Sequence, residues 1–389
     1  MKIIFLIDSS FSIRDYNRFG FKKLLENGIE VHLWDFYALR NDNFDDHGLL
    51  DDSIKNKINY RVFQNYFELV NINLNSFFLI DQRSGIYKEH TLCWFKQKGA
   101  TTIYIDSGLQ PQHAFNRSLL DFLVIIRNNF FNLGLKKTIS IIFFYITKQF
   151  QTKQKNSLCH DIKVCCGSLS TCKNEEFEIK SHTFDYDIYL KDNVITEKHN
   201  QLVFLDTGMA GHPDDEKFNN PAPCKKNIYF PLLRSFFEEL ESQTGLSVII
   251  SIHPRIKITG ELITAYGSRK IISGKSNELV KGAKFILAHH TTALNFAILH
   301  NIPAIIFTTN EIETKLYEQI KSVSKILKTH RININKDYRG LDFWKIAQNT
   351  LPQYDNFKDL LIKTQGSPEK NSAQILSEGL KKYLKNTNK

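Results

Sequence analysis

The chain has 389 residues, more than one hydrophobic core usually holds, so two domains or one large α/β domain are expected, and a peptide hormone or small disulfide module is excluded. Hydrophobic residues make up 42% and charged residues 24%, with only 18 Gly and 9 Pro, which excludes the disordered and fibrous classes. The net charge of +10 suits phosphorylated ligands, nucleic acid or an anionic membrane face, and does not choose among them.

The opening MKIIFLIDSS carries a short apolar run broken by Asp8, which predicts a first strand over residues 2–7 rather than a signal peptide. Helical spacing over residues 19–27 stops at Gly28, and EVHL at 30–33 is the next strand, so the first 36 residues read as a βαβ unit. Further strands are predicted at 76–80, 102–105 and 162–166, within an N-terminal Rossmann-like domain of residues 1–195. The same grammar restarts with a strand at 201–205. A helix follows at 229–244 with the apolar face Leu232, Leu233, Phe236, Phe237 and Leu240, and Gly245 stops it. Strands at 247–252, 271–273, 284–288 and 304–308, with helices near 276–281 and 293–300, complete a second Rossmann-like domain of residues 196–342. Residues 343–389 read as helices that pack back on the first domain and end in a basic tail. The expected fold class is therefore α/β, with two such domains facing a cleft.

No stretch reaches the roughly 18 uninterrupted apolar residues of a spanning helix. The apolar, aromatic and basic stretch 122–155 reads either as two core helices or as an interfacial segment whose lysines, among them Lys136 and Lys155, face anionic headgroups. Dispersed basic residues and the lack of a nucleic-acid module argue against nucleic acid as partner. Six cysteines and the absence of a leader fit free thiols in the reducing cytosol. Cys159, His160, Cys165, Cys166 and Cys172 contain no CxxC pair, so buried thiols are expected rather than zinc. Asp185 and Asp187 in FDYD read as a surface DxD in a linker, and no metal is expected there.

The strongest constellation is SIHPR at 251–255 followed downstream by AHHTTALNFAILHN, because both place polar residues where an apolar strand finishes, which is where parallel sheets bind ligands. Thr291 or Thr292 is expected at the N-cap of the next helix, and with His290 and His253 it would meet an anion. Two His-Pro pairs occur, at His212 and His253, and only the context of the second gives it weight. The GKS at 274–276 lacks the upstream glycine of a P-loop, since that position is Arg269.

A second α/β domain with a strand-terminal His-Pro and a downstream helix opened by paired hydroxyls resembles bacterial two-domain GT-B glycosyltransferases of surface polysaccharide synthesis that use CMP-activated sugars, of the sialyl and Kdo type. FLDTGMAGHPDD and RDYNRFG resemble segments of transferases of the same kind. The resemblance implies that His253 contacts the donor phosphate and assists its departure, and that Thr291 and Thr292 bind the same phosphate, with Pro254 and Arg255 beside them. Gly274, Lys275 and Glu278 lie where such folds hold the nucleoside, and Arg14 and Arg18, like Arg255, suit a carboxylate or phosphate. The acidic motif that supplies the base in sialyltransferases is not clearly present. An inverting transfer still needs a base, and the candidates are Asp15 and Asp8 after the first strand, Asp106 in DSG and Asp206 in LDTG.

The expected protein is thus a cytoplasmic, peripherally membrane-associated, metal-independent glycosyltransferase. It would move a sugar, first of all a CMP-linked acidic one, onto a bacterial glycan or lipid-linked acceptor at the inner membrane face. The nucleotide sugar enters as a substrate and no cofactor is expected. Alternatives are a UDP-sugar transferase, a CDP-polyol phosphotransferase and a non-catalytic nucleotide-sugar-binding assembly subunit.

Overall fold

The computed structural model describes residues 1–8, 11–36, 52–63, 66–69, 72–82, 88–106, 160–170, 177–192, 197–212, 222–312 and 314–387. The stretch 122–155, with its membrane reading, lies outside them. Two parallel sheets organise the rest. The first contains β1 (Lys2–Ile7), β2 (Glu30–Asp35), β3 (Asn59–Val62), β4 (Phe77–Asp81), β5 (Thr101–Asp106), β6 (Ile162–Cys165) and β7 (Phe177–Lys180), in the order β3-β2-β1-β4-β5-β6-β7. The second contains β8 (Gln201–Leu205), β9 (Ser247–Ile252), β10 (Ile271–Ser273), β11 (Phe285–Ala288), β12 (Ala304–Thr308) and β13 (Ile332–Asn333), in the order β10-β9-β8-β11-β12-β13. Continuous apolar runs such as Ile3 to Leu6 and Leu202 to Leu205 are buried because helices cover both faces of a parallel sheet. The edge strands β3 and β7 (NYRV, FEIK) and the two-residue β13 escaped prediction, being short and, in the first two, polar on alternate positions.

Chain order reverses between β1 and β4 in the first sheet and between β8 and β11 in the second, the positions outside which such sheets form crevices. In the second sheet the register decides what faces that crevice. Leu205 is level with both Ser251 and Ala288, and Ser273 with Ile252, so the segments that follow four strands emerge at a similar height.

The helix predicted at 19–27 is Phe21–Glu26, and a second short helix, Ile13–Arg18, that was not predicted precedes it; Gly20, whose φ is 63°, separates the two. A Cβ at Gly20 would lie 2.6 Å from that of Ala373, so the C-terminal helix packs too close for any larger residue. That helix, Ser372–Thr387, makes the return to the first sheet, burying Ala373, Ile375, Leu376 and Leu380 in its core. The helices Phe343–Gln348 and Tyr354–Leu361 belong instead to the second core. FDYD is no linker: it opens the helix Phe184–Lys191.

Asp187 of that helix fastens the C-terminal one. Its carboxylate accepts from the backbone N–H of Ser372 at 2.8 Å and from the Ser372 hydroxyl, with His182 Nε2 3.9 Å away. Asp187 and Ser372 are both buried, so removing the acceptor strands an N–H. Asp187→Ala is expected to cost about 2–3 kcal/mol in urea unfolding, with proteolysis appearing first at the C-terminal helix; an unchanged midpoint would refute this fastening.

Candidate functional site

The four aligned strand ends line a cavity of about 480 Å³, within the roughly 300–1,000 Å³ of ligand pockets. On the second-sheet wall lie Asp206 after β8, Ser251 to Pro254 at the end of β9, Gly274 to Glu278 after β10, and Thr291, Thr292 and Phe296 after β11. The first half contributes Arg14, Asp185 and Ile188. His253, Pro254, Gly274, Lys275, Glu278, Thr291, Thr292, Arg14 and Asp206, singled out from the sequence, thus share one space.

His253 follows β9 directly. Its Nδ1 faces Nε2 of His212 at 3.1 Å and accepts a long hydrogen bond from the Arg255 backbone N–H at 3.4 Å. A neutral imidazole has one N–H, so with Nδ1 accepting, the proton of His253 is assigned to Nε2 and that of the shared bond to His212. The two rings lie 4.6 Å apart. His212 belongs to the first His-Pro pair, which the sequence offered without a role.

Thr291 and Thr292 are not the N-cap. Ala293 holds that position, and the helix proper, Leu294–Leu299, is only six residues. Thr291 Oγ1 instead accepts from the Ala293 N–H at 3.2 Å, so its hydroxyl stabilises the turn before the helix and stays at the cavity wall. What the two threonines present to the cavity is therefore their hydroxyls, not the start of a helix. Ser251 and Ser276 hydroxyls meet at 2.9 Å and tie the ends of β9 and β10 together. Gly274 takes a φ of 75°, and Lys275 pairs with Glu278 at 3.7 Å.

Neither histidine after β11 joins the cavity wall. His289 is core: its Nδ1–H donates to the Phe307 carbonyl at 2.8 Å, and Nε2 accepts from the Tyr229 hydroxyl at 2.7 Å. Burial pushes it down to about 3. His290 is pushed down to about 4 by the same cause, and its Nε2 is buried without a hydrogen-bond partner.

The carboxylates differ in surroundings. Asp206 is buried, accepting from the Gly208 N–H at 2.9 Å and the Tyr266 hydroxyl at 2.6 Å; burial raises it above the usual range, partly offset by those bonds. Asp185 lines the same cavity and accepts at 2.9 Å from Asn295, on the helix that follows Thr291 and Thr292. Burial raises it too, against the lowering effect of that bond and of Arg18 and Arg14. Asp15 does not line the cavity: it accepts from the Ser12 N–H at 3.0 Å and hydroxyl at 2.8 Å, closing the turn that starts the first helix. Arg18 stacks over the Phe184 ring at 5.2 Å. Asp106 ends β5, buried, with Lys163 at 3.8 Å, and Asp8 is buried after β1. Arg14, at the cleft, is lowered from its ordinary value first by desolvation and then by Arg18, with Arg255 acting in the same direction. Three guanidiniums from both halves thus share one field. Among the described residues no group of three His, Cys, Asp or Glu has the arrangement of a metal site, and Cys165, Cys166 and Cys224 are buried and in no disulfide.

No protein-family model and no curated protein matches the sequence. Solved structures do match in fold. A histidine-to-asparagine variant of the wall teichoic acid polymerase TagF aligns with 99% of this chain and 89% of its own at TM-score 0.52 and 10% identity. UGT2 of Phytolacca americana, complexed with UDP-2fluoro-glucose and pterostilbene, aligns over 99% and 100% at TM-score 0.51 and 9% identity. The glycotransferase of kitacinnamycin aligns over 97% and 98% at TM-score 0.50 and 8% identity. With two parallel α/β sheets in series, the chain has a GT-B-like fold.

Proposed function

We propose that the protein is an inverting glycosyltransferase that takes a nucleotide-activated sugar, a CMP-linked acidic sugar first, and passes it to a glycan or lipid-linked acceptor. The supporting observation is the convergence of His253, Thr291 and Thr292 on one cavity, which Arg14 and Asp185 also line. In this reading His253 Nε2–H and the two hydroxyls bind the donor phosphate and stabilise charge as the sugar leaves. His212 holds the tautomer that makes Nε2 the donor. Gly274 to Glu278 receive the nucleoside, and Arg14 suits the carboxylate of an acidic sugar. No metal is invoked: hydrogen bonds meet the phosphate, and Arg14 adds positive charge to the same cavity.

The acceptor hydroxyl loses its proton to a carboxylate of the first half, where Asp185 lines the cavity and Asp106 closes β5. Asp206, its two oxygens engaged by Tyr266 and Gly208, orients the wall. A CDP-linked polyol would suit the same anion pocket and would also leave CMP. No described helix is long and apolar enough to cross a membrane, and peripheral association with the inner face remains part of the proposal.

The test is a thermal-shift series with CMP, CDP, UDP and GDP. CMP is expected to stabilise selectively, by about 2.7 kcal/mol at 100-fold excess over its Kd. Preference for UDP would move the donor to a UDP-sugar, and indifference to all four would defeat the nucleotide-sugar reading. With turnover established, Asp185→Asn and Asp106→Asn identify the base as the one whose loss abolishes transfer and leaves nucleotide binding intact.

A further inference from the structure

A second cavity, of about 450 Å³, adjoins the first on the side of the helices Lys226–Thr244 and Gly260–Ala265. Both cavities are lined by Asp206 and Ile252, and the loop from His253 to Arg255 runs between them: His253 and Pro254 line the first, Arg255 the second. Nothing in the transfer chemistry above uses this space.

Its walls are of two kinds. Phe230, Ile256 and Leu262 give an apolar side, and Lys226, Arg255 and Lys257 bring three cations. The carboxylates there are Asp206, engaged with Tyr266, and Glu261. Among the described residues neither Lys226 nor Lys257 forms an ion pair. Lys226 folds back over Gly211, its Nζ 3.8 Å from where a Cβ would stand. Next in sequence to the lining residues Lys257 and Leu262, the chain exposes two large apolar side chains, Ile258 (44%) and Ile263 (41%). Isoleucines held in water beside lysines without acidic partners match a ligand with a hydrocarbon body and an anionic head. Neither a sugar, which offers no apolar chain, nor a neutral lipid, which leaves the cations unused, meets both walls.

We propose that the second cavity binds a single amphipathic phosphate, its phosphate among Lys226, Arg255 and Lys257 and its chain along Phe230, Ile256 and Leu262 toward Ile258 and Ile263. Because the two cavities meet at Asp206, this phosphate would present the end of a lipid-borne acceptor to the donor site. That role rests on the glycosyltransfer reading; the binding itself does not.

Farnesyl monophosphate below its micelle concentration serves as the probe, with farnesol and inorganic phosphate as the separated halves. The full-length protein should bind farnesyl monophosphate at least tenfold more tightly than either half. Lys226→Glu and Lys257→Glu, both at exposed positions, should each weaken it about tenfold, while stabilisation by CMP is unchanged and so reports an intact fold and donor site. Equal affinity for farnesol, indifference to both substitutions, or no binding of farnesyl monophosphate each overturns the proposal. Phosphate-dependent farnesyl binding without any nucleotide response would uphold the site and defeat the glycosyltransfer reading alone.

Discussion

His253→Ala should lower turnover by about three orders of magnitude while leaving the fold and most nucleotide affinity in place, because the lost group acts on charge that develops as the sugar departs. The substitution removes the Nε2–H from a wall that retains Thr291 and Thr292, so ground-state binding of the nucleotide keeps most of its contacts. His212 acts through His253. Its removal frees the ring to take either tautomer, and a hydrogen bond worth about 1–1.5 kcal/mol corresponds to roughly a tenfold loss. His212→Ala should therefore cost about tenfold in kcat and move the pH profile, whereas His212→Gln, which keeps an amide N–H to offer His253 Nδ1, should recover part of both. A steady-state assay with the nucleotide sugar selected by thermal shift decides the matter. A His253→Ala protein within tenfold of wild type would remove the imidazole from the chemistry. Full support of glycan synthesis by that variant in cells would favour a non-catalytic assembly subunit.

Burial of neutral His289 should cost the fold stability as pH falls below about 6.5. His289 is neutral in the folded state, with Phe307 taking its one proton and Tyr229 donating to its other nitrogen. Its value there, about 3, lies below the 6.5 of an unfolded histidine, so between these limits the unfolded chain binds the extra proton. Stability is complete above pH 6.5 and falls by about 1.4 kcal/mol per pH unit from this residue alone, or about 2 kcal/mol by pH 5. His290, lowered to about 4, acts with the same sign. Asp185, Asp187 and Asp206 act oppositely: their raised values let the folded state take up protons before the unfolded one does. The histidine contribution is isolated with His289→Asn, which keeps a donor toward Phe307 and has no proton to gain. Urea unfolding at several pH values should show a flatter decline in that variant; parallel curves would contradict the assignment.

Features set by neighbours in sequence were legible in this chain, and features set by distant residues were not. The strands β1, β8 and β9, the stop at Gly245 and the juxtaposition of His253 with Thr291 and Thr292 were readable because each depends on local pattern: continuous apolar runs, helical spacing, and polar residues where a strand ends. The close approach at Gly20 was not, since its neighbour there, Ala373, comes from the far end of the chain. Asp185 looked like a surface acid because nothing near it in sequence announces Asn295, 110 residues on. The partnership of His212 with His253 spans 41 residues and was equally hidden.

Periodicity and composition alone determined that this protein is two α/β halves and that a histidine and a threonine pair should emerge where strands end, since backbone hydrogen bonding and apolar burial act at fixed short spacings. Only the tertiary structure decided which acids and cations share the cleft, which tautomer His253 holds, and that a second cavity lies behind it. Those follow from strand register and interdomain packing, which bring distant side chains within hydrogen-bond reach and leave no period in the sequence.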